Sequence, residues 1–221
     1  MSSALNDIDI SDLQALLGTS YTIKVNNNSN LDNHNAVVFQ DAPQLPSDVS
    51  KLAWLSKTCH SHTRVSFNWT LSYNFVWGQN GNLRPGASYD AGQEIPADIN
   101  SNNLVNLSYI GGGFAFDTPT DGTRGSLVIK EDGTVPGSGN PNQGCVGIGM
   151  SGAGTFVLPT EPGYSAQFDP HPQYWLAFGR YAAGVVVDES GMTNPVNIEF
   201  RSGNTVADCV FDGKNWNITY S

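Results

Sequence analysis

The densest concentration of chemically capable side chains is Cys59-His60-Ser61-His62. On an extended strand, His60 and His62 would project to one face and could chelate a metal, with Cys59 turned to the other. A closed site needs a third or fourth ligand, and neither a Cys-x-x-Cys pair nor a second His-rich stretch supplies it. No metal is therefore expected, and His60 and His62 stay as secondary candidates. Their plainer reading is a polar connection into a strand at Val65, able at most to sense acid because imidazole titrates near neutrality. A second place is Asp169-Pro170-His171-Pro172-Gln173-Tyr174-Trp175. Two prolines fix the backbone and deny helix, so this is a rigid corner running into an apolar strand. His171 beside Tyr174 and Trp175 is the candidate ligand-binding trio. The plainer reading is a corner that only aims the chain.

Other motifs fail a mechanistic test. Gly147-Ile148-Gly149-Met150-Ser151-Gly152 has the letters of a dinucleotide fingerprint. That mechanism needs a helix N-terminus straight after the glycines, whereas Ala153 to Pro159 reads as a strand. Glycines allowing close backbone approach in a hairpin are expected instead. Ser151 lacks the second glycine and the strand-to-helix turn of a nucleophile elbow. Asp117, Asp121, Glu131 and Asp132 could gather around calcium only if their loops meet, and none keeps EF-hand spacing. The tryptophans at 54, 69, 77, 175 and 216 could stack on sugars, but Trp69 and Trp77 fall on the apolar sides of their strands. Glutamates are few, with no paired-carboxylate motif. No catalytic residue and no cofactor is expected.

The elements that must position these residues follow from composition. The chain has 221 residues, of which Gly (24), Asn (22) and Ser (21) favour turns over helices, while charged residues make up only 14%. A helical bundle is excluded. A net charge of −10 repels polyanions, so nucleic-acid binding is not expected. No stretch reaches membrane-span length. Met1 to Gly18 carries no basic residue and no signal-peptide apolar run, and three cysteines do not make a disulfide framework. A cytoplasmic protein with reduced thiols is expected, non-classical release being left open.

Ser11 can cap a short helix over Asp12–Leu17, stopped by Gly18. Residues 1–20 are thus read as a helical leader, packing on its own domain or docking on a neighbouring subunit. From Thr19 onward the period is two: Val65, Phe67 and Trp69 alternate with polar residues, and Tyr73, Phe75 and Trp77 repeat the pattern. Strands are further expected near 21–25, 36–40, 52–56, 104–110, 126–130, 146–150, 154–158, 174–178, 184–187, 196–200, 206–211 and 216–220. Asn80-Gly81 reads as a hairpin turn and Gly133–Gly144 as a long loop. The expected fold is all-β: an antiparallel, jelly-roll-like β-sandwich over residues 21–221 behind the short N-terminal helical leader.

Three segments, Trp69–Trp77, Gly147–Phe156 and Pro170–Gly179, resemble the rhizosphere-expressed (rhizosphere-induced) protein family, RhiA, of rhizobia and other bacteria. The similarity runs from about Tyr21 to the C-terminus. It implies an abundant soluble protein made under cell-density control around plant roots, and it brings no established activity or catalytic residue. The expected function is non-enzymatic, acting by binding or self-assembly in host association. Expected partners are a second copy engaged through the leader and a glycan or host factor. The alternative is a carbohydrate-binding, lectin-like module.

Overall fold

The computed structural model describes residues 15–221 apart from 43, 44, 47 and 202. Period-two patterning builds the first sheet. In β1 (Ser20–Asn27), Tyr21, Ile23 and Val25 point into the core while Lys24 and its polar neighbours point out. Strand β5 (Arg64–Thr70) pairs with it antiparallel, setting Tyr21 opposite Trp69 and Ile23 opposite Phe67. On its other edge β1 takes β16 (Val206–Phe211) in parallel, and β17 (Trp216–Tyr220) closes the sheet.

A second sheet runs β15 (Thr193–Ile198), β14 (Gln173–Gly179), β2 (Asn35–Asp41), β4 (Leu55–Thr58). Both faces of β2 and β14 are covered, which is why Ala36–Phe39 and Leu176–Phe178 read as continuous apolar runs. The third sheet runs β3 (Ser50–Lys51), β12 (Ala153–Pro159), β11 (Cys145–Met150), β6 (Tyr73–Gly78), β7 (Ala91–Ala97). The fourth runs β13 (Ser165–Phe168), β10 (Leu127–Glu131), β8 (Leu104–Ile110), β9 (Gly113–Phe116), with β8 and β10 parallel. One apolar core receives side chains from all four sheets, and a smaller cluster around Leu52, Val76, Tyr89 and Val186 lies behind the third.

All-β stands, but the jelly-roll-like antiparallel sandwich needs correcting. The described strands form four sheets, and two pairings are parallel. The helical leader is also corrected. Residues 1–14 lie outside the described residues, and no complete helix precedes β1 among the rest. The described end of the leader is two helical residues and a turn, where Gly18 N–H bonds the Leu71 carbonyl at 2.9 Å. Leu16 and Leu17 pack on the core of their own chain, so this part does not reach for a neighbour.

Asn80-Gly81 is not a hairpin corner, because β6 and β7 are joined by the long connection Gln79–Asp90. The tight corner is Ser151-Gly152 between β11 and β12, where both residues have positive φ (54° and 76°). Gly147 and Gly149 act as expected of a hairpin: an added Cβ would overlap the carbonyl oxygens of Phe156 and Ala153. Four strands escaped the periodicity, namely β3, β7, β9 and β13. Residues 184–187 give only isolated bridges.

Five rings meet where three sheets converge. Trp69 stacks against Tyr21 at 5.9 Å, crosses Trp54 edge-on at 5.2 Å and leans on Tyr174 at 4.9 Å, with Phe200 beside Tyr21 at 4.9 Å. Their polar handles are satisfied: Trp69 Nε1–H donates to Tyr174 (3.3 Å), Tyr174 O–H to Met150 Sδ (3.4 Å), and Trp54 Nε1–H to the Met150 carbonyl (3.0 Å).

Gly147→Ala is expected to cost about 3 kcal/mol or more of unfolding free energy, seen as a lower urea midpoint. Gly133→Ala adds a Cβ that meets nothing within 4 Å, and should change stability by less than about 0.5 kcal/mol. Equal midpoints for the two variants would contradict the close approach of β11 and β12.

Candidate functional site

Four connections meet at one end of the molecule. They are the β1–β2 loop, the β4–β5 turn, the β16–β17 hairpin and the start of β15. Asn27, fully buried at the end of β1, fastens the first two of them. Its Nδ2 donates to the carbonyls of Leu31 (2.8 Å), Cys59 (3.1 Å) and His60 (3.2 Å), while its Oδ1 accepts the N–H and hydroxyl of Ser29 (3.1 and 2.5 Å). Ser61 Oγ donates to the Ser29 carbonyl at 2.6 Å, and Asn28 N–H to the Phe211 carbonyl at 2.9 Å. An amide suits this position because one side chain must both donate and accept.

On this frame Asp32 sits between two histidines. Its Oδ1 lies 2.7 Å from His60 Nδ1, and its carbonyl lies 2.7 Å from His34 Nδ1. The His60 hydrogen bond, with help from the Asn33 N–H, holds the Asp32 carboxyl below the usual carboxylate range. His60 and His62 are on a tight turn rather than a strand, with His62 at φ 57°. The premise that they share one strand face is thereby corrected: His60 pairs with Asp32. Cys59 is buried, and burial pushes its thiol up. Among the described residues no group of three or more His, Cys, Asp or Glu is placed to hold a metal ion.

Beside this cluster opens a groove of ≈ 570 Å³ between Asn28–Leu31 and Phe211–Lys214, with Thr193 on its wall. Its lining offers amides, hydroxyls, one acid and one base over an aromatic floor. The Asp212 carboxylate accepts the N–H groups of Asn215 (2.7 Å) and Lys214 (2.8 Å), which hold it below the usual range. Trp216 lies under the wall, with its Nε1–H donating to the Asn194 carbonyl at 2.7 Å and its ring parallel to Phe178 (5.4 Å, 7°). Such a lining can hydrogen-bond a polar ligand.

The His171, Tyr174 and Trp175 trio is split. Tyr174 points inward, is 1% exposed and belongs to the ring cluster. Trp175 lies on the opposite face of β14, half-buried and stacked on Phe39 (6.2 Å, 19°), and its Nε1 finds no hydrogen-bond partner among the described residues. His171 sits in a corner pinned by its own N–H to Asp169 (2.9 Å) and by the Tyr73 hydroxyl to the Pro170 carbonyl (3.3 Å). The acids do not converge on a shared ion: Asp117 binds Asn106, Asp121 binds the Asn102 N–H, and Asp132 binds Ser108 and Thr134. Ser151 occupies the hairpin corner, where its Oγ accepts the Thr70 N–H at 3.3 Å. Burial raises the thiols of Cys145 and Cys209 to about 12, leaving them protonated at neutral pH. Sequence reasoning missed Asn27, Asp32 and Asp212. The signal available was the polar run Asn26–Asn30 straight after an alternating strand.

Among the described residues no helix is long and apolar enough to cross a membrane. A family model described as RhiA matches residues 18–221. Protein RhiA of Rhizobium leguminosarum bv. viciae is 34% identical over 189 residues, which cover 84% of this chain and 79% of that protein. No solved structure matches.

Asn27→Ala should lower the unfolding free energy by about 3 kcal/mol, since it strands the buried Cys59 carbonyl, the part-buried Leu31 and His60 carbonyls and the Ser29 donors. Asn27→Asp should cost at least as much, because a carboxylate cannot donate to those carbonyls. Urea unfolding followed by tryptophan emission reads both, and a loss under about 1 kcal/mol for either would remove Asn27 as the fastener.

Proposed function

The chain belongs to the RhiA family, and from that premise we propose that it is a rhizosphere-expressed, non-enzymatic protein acting by binding or self-assembly in association with a plant host. Production under cell-density control is part of the same reading. One observation carries the binding half: the polar groove at the loop end, whose walls are fixed by Asn27 and Asp212 rather than left to induced folding. Preorganised walls favour binding because less ordering entropy is lost when a partner arrives.

Two further features support a non-enzymatic role. The thiols are protonated by burial, and among the described residues no hydroxyl or thiol bonds the other imidazole nitrogen of the His60–Asp32 pair. A nucleophile–base pair requires such a contact. The net charge of −10 also keeps the molecule soluble at the abundance proposed.

Two measurements separate the modes. Titration of the full chain with plant cell-wall and bacterial oligosaccharides, read by tryptophan emission, tests ligand binding through Trp216. Sedimentation velocity across a wide concentration range tests self-association. The double variant Asn30→Arg with Lys214→Glu alters exposed groove side chains. It should weaken whichever association is seen by about tenfold, the scale of one well-placed contact. Neither binding nor association in the parent, or an association indifferent to the double variant, would contradict the proposal.

A further inference from the structure

In the fourth sheet, the fold buries a carboxylate with no ion-pair partner among the described residues. Glu131 ends β10 at 3% exposure. Its Oε2 accepts the Glu161 N–H at 2.9 Å, whereas its Oε1 is sealed from solvent with no hydrogen-bond partner among the described residues. A buried carboxylate oxygen left unpaired disfavours the ionised form.

The neighbourhood offers no compensation. The Gly133–Gly144 segment that straps this end contains no Asp, Glu, Lys, Arg or His. The register partner on β8 is Leu107, and β13 supplies only Ser, Ala, Gln and Phe. The turn after β12 contributes Glu161, a like charge. On its own strand Lys130 is exposed on the opposite face, and the following residue, Asp132, is engaged by Ser108 (2.6 Å). Burial first, and then the Glu161 charge, push the Glu131 carboxyl up to about 7 against the opposing effect of the Glu161 N–H.

The strap is tied to the same turn. Glu161 Oε1 accepts the Ser138 N–H (2.8 Å), Thr160 Oγ1 donates to the Pro136 carbonyl (2.7 Å), and Thr160 N–H meets the Gly144 carbonyl (3.0 Å). Val135 is plugged into the core at 3% exposure. Thus the Thr160–Glu161 turn bonds Glu131 on one side and the strap on the other, so that Glu131 stays desolvated only while turn and strap are seated together.

We propose that Glu131 is a proton-operated latch on the Gly133–Gly144 strap, which seats when the carboxyl is protonated and loosens when it ionises. The sign follows from linkage. With the strap open, the solvated carboxyl titrates in the ordinary range; with it closed, the carboxyl keeps its proton to higher pH. Closure is therefore fully supported below the ordinary range, loses support as pH rises towards 7, and levels off above it. An open strap would add Val135 to the apolar surface begun by Ile110, which is 73% exposed at the β8–β9 tip.

Hydrogen exchange of the full chain between pH 5 and 8, corrected for intrinsic rates, tests this. Protection of the strap amides should fall about fiftyfold from pH 5 to 7.5 and then level, while the β11–β12 hairpin stays protected. Glu131→Gln should abolish the step. Strap protection that ignores pH in the parent, or a step surviving in Glu131→Gln, would overturn the latch. If that variant fails to fold, a carbon-detected titration of the Glu131 carboxyl in the parent decides. An inflection near 7 supports the latch, and one in the ordinary carboxylate range overturns it.

Discussion

The fold depends on one aromatic contact. Trp69, Tyr174, Trp54, Tyr21 and Phe200 come from different stretches of chain, and they meet where the first two sheets come together beside Met150 of the third. Stacked and edge-on rings contribute beyond the area they bury, and the polar groups of Trp54, Trp69 and Tyr174 are satisfied within the cluster or by Met150. Because Tyr21 and Trp69 face each other across β1 and β5, the cluster also fixes the register of the first sheet. A slip of β1 by one residue would turn Tyr21 outward, away from Trp69.

That commitment bears on function. Trp54, Trp69 and Tyr174, which could have served as sugar platforms, are fasteners instead. Trp77 is likewise occupied, its Nε1–H donating to Gln93 at 2.9 Å. Under the proposed binding role, recognition falls to connections at the ends of strands, where backbone groups not used by ladders are satisfied by Asn, Asp and Ser. The loop end is built this way, with Asn27 bridging segments more than thirty residues apart. The strap uses the same chemistry, with Thr160 and Glu161 as its anchors.

Much of this was legible in the residues. Alternation placed β1, β5, β8, β16 and β17, and the hairpin reading of Gly147 and Gly149 followed from the strand after them. Strand β7 was hidden because Pro96 interrupts it and Ile95 is its one large apolar side chain; Gly92 lets it lie over the Trp77 ring. The parallel pairing of β1 with β16 joins the two ends of the chain, and no local signal carries such a contact. At the site, His60 stood out by type, but its partner Asp32 reaches it only after two loops fold together. The split of Tyr174 from Trp175 follows from period two, since adjacent strand residues face opposite sides. Glu131 sits where alternation puts an inward side chain, so its burial was readable while its missing partner was not.

The central claim is that these rings act as one cooperative fastener across the sheets. A double-mutant cycle on Trp69→Phe and Tyr174→Phe, measured by urea unfolding, tests it most directly. The account predicts a coupling of about 1 kcal/mol between the two sites. Costs that add to within about 0.3 kcal/mol would contradict it, and would mean that the sheets are held together independently of the cluster.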